Sequence, residues 1–236
     1  MGYLRAGIAL CVLVLSSSTD EPVVPKPLKD GEKPTKAGWF GQRVYPKKPS
    51  NEIWMGAWRD GEERFWRPNN LMNCEVREDR DGFVRVFDGR QEGWVKKADL
   101  ITVSDAVDHF DKAVKANADD LYARWMRGVS LLDSGEPKKA VADFDELIRR
   151  DPEDMAAYNS RGRAWRSVKE YEKAAADFTV VIRHDPKDPV VLNNRGNVYD
   201  EMKQHDKAID DYTEALRLDP LSVITLSNRG NSWGKK

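Results

Sequence analysis

Small and aromatic residues recur with a fixed spacing of 34 positions through the second half of the chain. The recurring unit is an alanine followed four positions later by an aromatic residue, and its clear copies are Ala140 with Phe144, Ala174 with Phe178 and Ala208 with Tyr212. A fainter copy lies one period upstream, at Ala106 and Phe110. A period of this length is typical of a helical solenoid, in which each unit buries its apolar face only against its neighbours. The pattern therefore predicts an all-α solenoid over residues 104–236.

Residues 39–103 show a different pattern, in which short β-branched and aromatic runs alternate with glycine-containing turns. The runs are Gln42–Tyr45, Ile53–Trp58, Leu71–Arg77, Gly82–Phe87 and Gly93–Lys96. Because a closed sheet has no exposed edges, so many short strands in a small segment favour a barrel over an open sheet. We therefore expect a small all-β barrel in front of the solenoid and a multidomain protein.

The N-terminal residues contain a run that is apolar but short. The ten residues Ala6–Leu15 follow Arg5 and precede three serines, Ser16 to Ser18. Ten apolar residues are too few to cross a bilayer core of about 30 Å. Residues 1–18 are therefore predicted to be a secretory signal peptide, so that the protein is exported to the periplasm, the cell envelope or the medium. An uncleaved anchor and a mis-assigned start are the alternatives.

Residues 19–38 are rich in proline and lysine, which disfavours both helix and central strand. This segment is predicted to be an extended linker between the signal peptide and the barrel.

Composition and motif content argue against several classes of function. The net charge of −1 gives no electrostatic basis for binding nucleic acid. The chain shows no glycine-rich phosphate loop, no cysteine and histidine spacing for a metal, and no serine-centred elbow. Cys74 has no activating base beside it and is expected to be a small buried residue. We therefore predict a protein that is not an enzyme and holds no metal and no cofactor.

The repeat resembles the tetratricopeptide repeat family over residues 104–233. The matching residues of the three full repeats are Gly128, Leu131, Ala140, Phe144 and Pro152; Gly162, Trp165, Ala174, Phe178 and Pro186; and Gly196, Tyr199, Ala208, Tyr212 and Pro220. The resemblance implies two antiparallel helices in each repeat, with a lone second helix at 104–115, capped by Ser104, and a lone first helix at 221–233. It also implies a concave groove, lined by the first helices, that binds a protein or peptide partner.

The segment Gly93–Ile101 resembles the closing part of bacterial SH3-like domains, in which a Gly-Trp-Val strand runs into a tight helical turn. The resemblance implies that an apolar residue after the turn returns to the barrel core, and that the protein acts in the cell envelope. Lys97, Ala98 and Asp99 stand where eukaryotic relatives carry the proline and tyrosine that hold proline-rich peptides. This difference argues against a proline-rich ligand.

Charged residues also repeat in register. Arginines occur at Arg127, Arg161, Arg195 and Arg229, and aspartates occur directly before the aromatic residues, at Asp143, Asp177 and Asp211. A ligand site is usually built from residues that differ between repeats, so these identical positions predict a structural ladder of Arg–Asp pairs.

The positions of the first helices that differ between repeats are the candidate binding site. Residues three or four apart on a helix share a face, and this spacing selects Trp125 and Val129; Asn159, Arg163 and Arg166; and Asn193, Asn197 and Asp200. Asparagine can bond a peptide backbone as donor and acceptor, and either Arg163 or Arg166 can hold a carboxylate.

The barrel carries a second candidate surface. Trp54 and Trp58 alternate with Ile53, Met55 and Ala57, so one set faces the core and the other faces outward. Both assignments remain open. The sequence thus favours a non-catalytic interaction scaffold of the bacterial cell envelope that binds a partner peptide. The alternative is an adaptor that binds peptidoglycan through the barrel.

Overall fold

The structure, a computed structural model, describes residues 25–26, 38–49, 52–53, 55–59, 62–66, 71–72, 74–88 and 90–236. Within these residues the second half of the chain forms eight helices in a solenoid. The helices are α1 (Val103–Ala116), α2 (Leu121–Asp133), α3 (Pro137–Arg150), α4 (Met155–Ser167), α5 (Tyr171–His184), α6 (Pro189–Glu201), α7 (His205–Leu218) and α8 (Val223–Lys235). The predicted half-repeats are therefore α1 and α8, and the full repeats are the pairs α2–α3, α4–α5 and α6–α7.

Polar side chains define where the first helices begin. The carboxylates of Asp120, Asp154 and Asp188 and the hydroxyl of Ser222 each accept a hydrogen bond from a backbone N–H of the first turn. The prediction of Ser104 as the cap of α1 was wrong, because α1 begins at Val103 and its N-cap residue is Thr102. The hydroxyl of Thr102 instead donates to the Asp105 carboxylate at 2.6 Å.

The turn inside each repeat requires a left-handed backbone. Gly135 has φ of 78°, and the residues one and two periods later, Lys169 and Lys203, have φ of 65° and 60°. A glycine adopts this conformation without steric cost, whereas a lysine does not. Two of the three repeats therefore accept local strain at this turn, which the sequence period alone did not reveal.

The two helices of each repeat touch where the glycine and the aromatic residue meet. A β-carbon at Gly162 would lie 3.0 Å from the ring of Phe178. The same construction gives 2.9 Å between Gly128 and Phe144 and 2.7 Å between Gly196 and Tyr212. All three aromatic side chains are buried. The predicted close approach of the helices is confirmed, and only a residue without a side chain fits at these glycines.

The first half of the chain forms two antiparallel sheets. The strands are β1 (Arg43–Pro46), β2 (Met55–Arg59), β3 (Glu62–Trp66), β4 (Cys74–Glu75), β5 (Glu78–Arg80), β6 (Phe83–Phe87), β7 (Glu92–Lys96) and β8 (Leu100–Thr102). Their order is β4-β1-β8 in one sheet and β3-β2-β7-β6-β5 in the other. The two sheets share one hydrophobic core. Its buried members include Val44, Ile53, Met55, Val84, Val95 and Leu100.

The described residues do not show the closed SH3-like barrel that the sequence predicted. A 3₁₀ turn at Lys97–Asp99 ends β7, and the chain then enters the other sheet as β8. The strand β7 pairs with β2, whereas β8 pairs with β1. No strand pairing therefore joins the two sheets within the described residues. The local prediction was correct nonetheless, since the turn is present and Leu100 after it is fully buried.

The sheets and the solenoid are joined by an apolar contact. Tyr45 of β1 is fully buried in a cluster with Ala106, Phe110 and Met126 of the helices. Its hydroxyl donates to the carboxylate of Asp133 at the end of α2. In each full repeat the second helix packs against the first helix of the same repeat. At α1, the strands β1 and β8 take the place of that first helix.

Several sequence predictions concern the N-terminal region. Residues 1–18, assigned to a signal peptide, lie outside the described residues. In the predicted linker, Pro25 is buried, and the carbonyl of Lys26 accepts a hydrogen bond of 2.7 Å from Arg80, so at these residues the chain contacts the sheet. Across the described parts of the chain, no helix is long and apolar enough to cross a membrane.

Cys74 behaves as the sequence predicted. Its side chain is buried in the core of the sheets. Burial, assisted by the negative charge of Asp88, raises the pKa of its thiol to about 11. Because the thiolate is the nucleophilic form, this cysteine is poorly reactive at neutral pH.

The glycine contact gives a first prediction. Gly162→Leu should lower the free energy of unfolding by about 1–3 kcal/mol, because the added side chain collides with the Phe178 ring. Gly230→Leu is the matched control, since Gly230 is the same repeat position in α8 and a β-carbon there would meet no neighbouring atom within 4 Å. It should leave stability unchanged or raise it slightly, because glycine is a poor helix former. Chemical denaturation followed by circular dichroism measures both, and equal effects would contradict the contact.

Candidate functional site

The first helices α2, α4, α6 and α8 lie side by side, with each contacting the next. Polar side chains cross between them: Arg166 of α4 bonds Glu201 of α6, and Asn228 of α8 bonds Asn193 of α6. We call the surface formed by Asn159, Arg163 and Arg166 of α4 and by Asn193, Asn197, Asp200 and Glu201 of α6 the first-helix groove. The sequence pattern selected all of these residues except Glu201, and none of their side chains is fully buried.

A cavity of about 400 Å³ opens between the second and third repeats. Its lining residues are Arg163, Arg166, Ser167, Phe178, Asn194 and Glu201. Arg166 donates two hydrogen bonds, of 3.0 and 2.6 Å, to one carboxylate oxygen of Glu201, so its charge is compensated. Arg163 is exposed and forms no ion pair or hydrogen bond through its side chain with any described residue. The cavity therefore offers one guanidinium group that no described carboxylate compensates.

Asn193 and Asn197 hold helices together. Asn228 of α8 donates to the side-chain oxygens of Asn193 at 3.1 Å and Asn197 at 3.0 Å. The oxygen of Asn197 also accepts the hydroxyl of Tyr212, at 2.8 Å, which ties α6 to α7. The sequence selected these asparagines as ligand contacts and did not show that they bond α7 and α8. Their amide nitrogens are the groups that remain for a ligand.

Asp200 is a second polar anchor for α8. Its carboxylate accepts hydrogen bonds from Ser232 at 2.8 Å and from Lys235 at 2.5 Å. His205 Nδ1 lies 2.8 Å from the same carboxylate. Burial of Asp200 opposes its ionisation, but the hydrogen bonds from Lys235, Ser232 and His205 outweigh this effect and lower its pKa. This aspartate therefore serves the contact between α6 and α8.

Asn159 differs from the other asparagines of the groove. Its side-chain oxygen is buried and accepts no hydrogen bond from the described residues. A buried acceptor without a donor is energetically unfavourable. A donor supplied by a ligand, such as a peptide N–H, would relieve this cost.

The end of the groove at α2 is occupied by the sheet. Trp125 is half-buried and packs against the apolar clusters on both sides of α2. The hydroxyl of Tyr122 lies 3.0 and 2.9 Å from the carbonyl oxygens of Pro46 and Lys48, so the end of β1 crosses this part of α2. The sequence named Trp125 as a site residue and gave no signal for Tyr122.

The hydrogen bond between the buried Tyr45 and Asp133 lies close enough to the groove for the charge of Arg163 to act on it. Burial and the bond to Asp133 raise the pKa of Tyr45, and the nearby charge of Arg163 opposes this rise. Neither residue belongs to a repeated position, so the period gave no signal for their contact.

The predicted ladder of Arg–Asp pairs is confirmed. Arg161 donates to both oxygens of Asp177, at 2.8 and 2.7 Å, and its third nitrogen donates to Asp145 of the preceding repeat at 2.8 Å. The bond to Asp177 is the main reason why the pKa of Arg161 is raised. The same bidentate geometry recurs in the other full repeats, where the pairs are Arg127 with Asp143 and Arg195 with Asp211. These arginines are structural and are not available to a ligand.

The second candidate surface is described only in part. Ile53 and Met55 are fully buried, as one of the two open assignments requires. Trp54 lies outside the described residues, and the structure describes the backbone of Trp58 in β2 but not its side chain. An exposed strip at Trp54 and Trp58 stays a prediction.

Comparison with known proteins identifies the repeat. One family model of the tetratricopeptide repeat matches residues 103–142 and 126–189, and a second matches residues 189–220, so that together they cover half of the chain. No curated protein sequence matches the chain.

Solved structures share the fold. A crystal structure of MamA is 23% identical, covers 58% of this chain and 79% of its own, and has a TM-score of 0.53. MamA from Desulfovibrio magneticus RS-1 is 20% identical, with coverages of 56% and 81% and a TM-score of 0.50. YrrB, described as a TPR protein with an unusual peptide-binding site, is 22% identical, with coverages of 54% and 66% and a TM-score of 0.52. At these identities the similarity shows the fold alone.

The bonds of Asn228 generate a second prediction. Asn228→Ala removes both amide bonds to α6, and about 0.5–1.5 kcal/mol per hydrogen bond should be lost. The backbone amides of α8 should then exchange with solvent several times faster, while those of α4 and α5 keep their protection. Hydrogen exchange followed by mass spectrometry resolves the helices. Asn231→Ala is the control, because Asn231 is an exposed residue of the same helix; equal exchange in both variants would exclude the proposed anchoring.

Proposed function

Because the chain belongs to the tetratricopeptide repeat family through residues 103–220, we propose that it is a non-catalytic scaffold that binds a peptide segment of a partner protein in the first-helix groove. The repeat fold itself supports a role in protein interaction. A protein of the same fold, YrrB, is described as having a peptide-binding site. We expect the charges of this groove and its unsatisfied polar atoms to determine which peptide it binds.

The observation that carries the proposal is the uncompensated charge of Arg163. The arginines of the full repeats that recur in register are bonded to aspartates, and Arg166 is bonded to Glu201. Arg163 instead stands exposed at a cavity large enough for a side chain. Its counterparts one period away are Val129 and Asn197, so the charge belongs to one repeat only. A guanidinium in this setting binds a carboxylate of the peptide.

Amide groups on both sides of Arg163 provide contacts for a peptide backbone. The buried oxygen of Asn159 lacks a donor among the described residues, and the amide nitrogens of Asn193 and Asn197 are donors on the neighbouring helix. β1 closes the groove at α2, where Trp125 forms part of the wall. The proposed peptide therefore starts beside Trp125 and crosses α4 and α6 towards α8.

The proposed setting is the bacterial cell envelope. Its support is the apolar run at residues 6–15, which has the composition of a signal peptide.

A selected peptide provides the test. Twelve-residue peptides chosen from a random phage-displayed library on the intact protein should be enriched in aspartate and glutamate. Arg163→Ala should weaken the best of them about tenfold at 50 mM salt, because a charge-assisted hydrogen bond is lost. The difference should shrink at 500 mM salt, since exposed charges are screened. Isothermal titration calorimetry measures both.

The matched control is Arg183→Ala, which removes an exposed arginine from the second helix α5. This variant should bind the peptide like the unchanged protein. If both variants bind equally well while remaining folded, the groove around Arg163 is not the peptide site.

A further inference from the structure

A second cavity, of about 500 Å³, lies where α1, α2 and α3 meet. Its apolar lining includes Val107 of α1, Leu131 of α2 and Ala142 of α3, and its charged lining includes Asp108 and Lys139. It shares no lining residue with the first-helix groove. Binding sites for small molecules usually have volumes of about 300–1,000 Å³, so this cavity is large enough for such a ligand.

The repeat pattern explains why space is left at this place. The counterparts of Leu131 in the next two repeats are aromatic, Trp165 and Tyr199. A lysine of the second helix lies over each of these rings, with Lys173 4.5 Å from the ring centre of Trp165 and Lys207 5.4 Å from that of Tyr199. Leucine has no ring, so the first repeat lacks the group that lies beneath the lysine in the other two.

Two further features of the first repeat agree with a missing ring. Lys139 occupies the lysine position and pairs with Glu136, but no ring of the described residues lies beneath it. Val107 of the preceding helix is only half-buried, whereas its counterparts Val141 and Ala175, which precede the repeats with a ring, are 6% and 9% exposed. The space that an aromatic side chain fills in later repeats is therefore open in the first.

The charges around the cavity favour a cation. The guanidinium of Arg127 is bonded to Asp111 and Asp143, and Lys139 is paired within its own helix. Asp108 is exposed and forms no ion pair or hydrogen bond through its side chain with any described residue. The cavity thus offers one carboxylate that no described base compensates.

We propose that this cavity binds a small aromatic amine, in which a planar ring is joined by a short chain to an ammonium group. The ring lies in the space left by Leu131, against Val107 and Ala142, with the ammonium of Lys139 over its face as in the other repeats. The ammonium of the ligand pairs with Asp108. Within the described residues, neither α1 nor α3 exposes a large apolar side chain. A protein partner would therefore find no apolar contact beside the cavity, and the observations select a small molecule.

Tryptamine, an indole ring joined to an ammonium group, is the probe. We expect it to bind the intact protein with one-to-one stoichiometry and, for a ligand of this size, with a Kd of about 1 mM. The compound 3-indolepropionate carries the same ring with a carboxylate and should bind about fivefold more weakly, because it meets Asp108 with a like charge. Isothermal titration calorimetry measures both.

Two variants that fill the cavity locate the site. Leu131→Trp restores the ring found at residue 165; it should abolish tryptamine binding and raise the melting temperature, because a cavity is filled. Ala142→Phe closes the same space from an exposed position and decides the question if Leu131→Trp does not fold. Ala176→Phe is the matched control, since Ala176 is exposed at the same position of α5, and it should bind tryptamine like the unchanged protein.

The role of the charge is tested separately. Asp108→Asn should weaken tryptamine about threefold at low salt, the size expected of an exposed ion pair, and leave uncharged indole unaffected. Asp210→Asn, an exposed residue at the same position of α7, should change neither.

Three outcomes would overturn the proposal. The first is no detectable binding at about 10 mM tryptamine, a concentration well above the expected Kd. The second is binding that persists in the folded Ala142→Phe variant. The third is equal affinity for tryptamine and 3-indolepropionate, which would leave Asp108 without a part in recognition.

Discussion

The contact between a glycine of each first helix and an aromatic ring of each second helix sets the geometry of the solenoid. Because the ring of Phe178 lies where a side chain of residue 162 would be, the two backbones stand as close as a helix pair allows. That distance also brings Arg161 within reach of Asp177 on the neighbouring helix. The same contact recurs at every full repeat, so each unit presents the same surface to the next and the array extends by stacking.

The Arg–Asp ladder fixes the relation between repeats rather than adding much stability. Removing a charge from water is costly, and a buried pair recovers that cost only with good geometry. Each arginine satisfies this condition by bonding its own second helix in a bidentate manner and also contacting the preceding one. Three helices are thereby held in one register. The same logic explains why Arg163, which lies outside the ladder, is available to a ligand.

The two half-repeats, α1 and α8, pack against different partners. At the beginning, β1 and β8 cover α1, and Tyr45 enters the helical core while bonding Asp133. The helix α8 bonds α6 through Asn228, Ser232 and Lys235. The first-helix groove is therefore closed beside α2, and its uncompensated charge, Arg163, lies on the next first helix, α4.

The sequence by itself determined the solenoid, the pairing of arginines with aspartates and the tight contact at the glycines. Each of these follows from a local period, because residues that recur every repeat must meet equivalent neighbours. The strands with β-branched runs were also predictable, but β3 and β5 were not, since charged residues such as those of Glu78–Arg80 hide a strand that pairs on one edge. The tertiary structure alone decided that β8 changes sheet, so that the described residues show no closed barrel.

The tertiary structure also decided which groove residues are available to contact a ligand. Asn193 and Arg163 look equally suited to a ligand in the sequence, yet Asn193 meets Asn228, 35 residues away, whereas nothing described bonds Arg163. Such partners come from helices whose relative placement depends on the whole stack, and no local pattern encodes them.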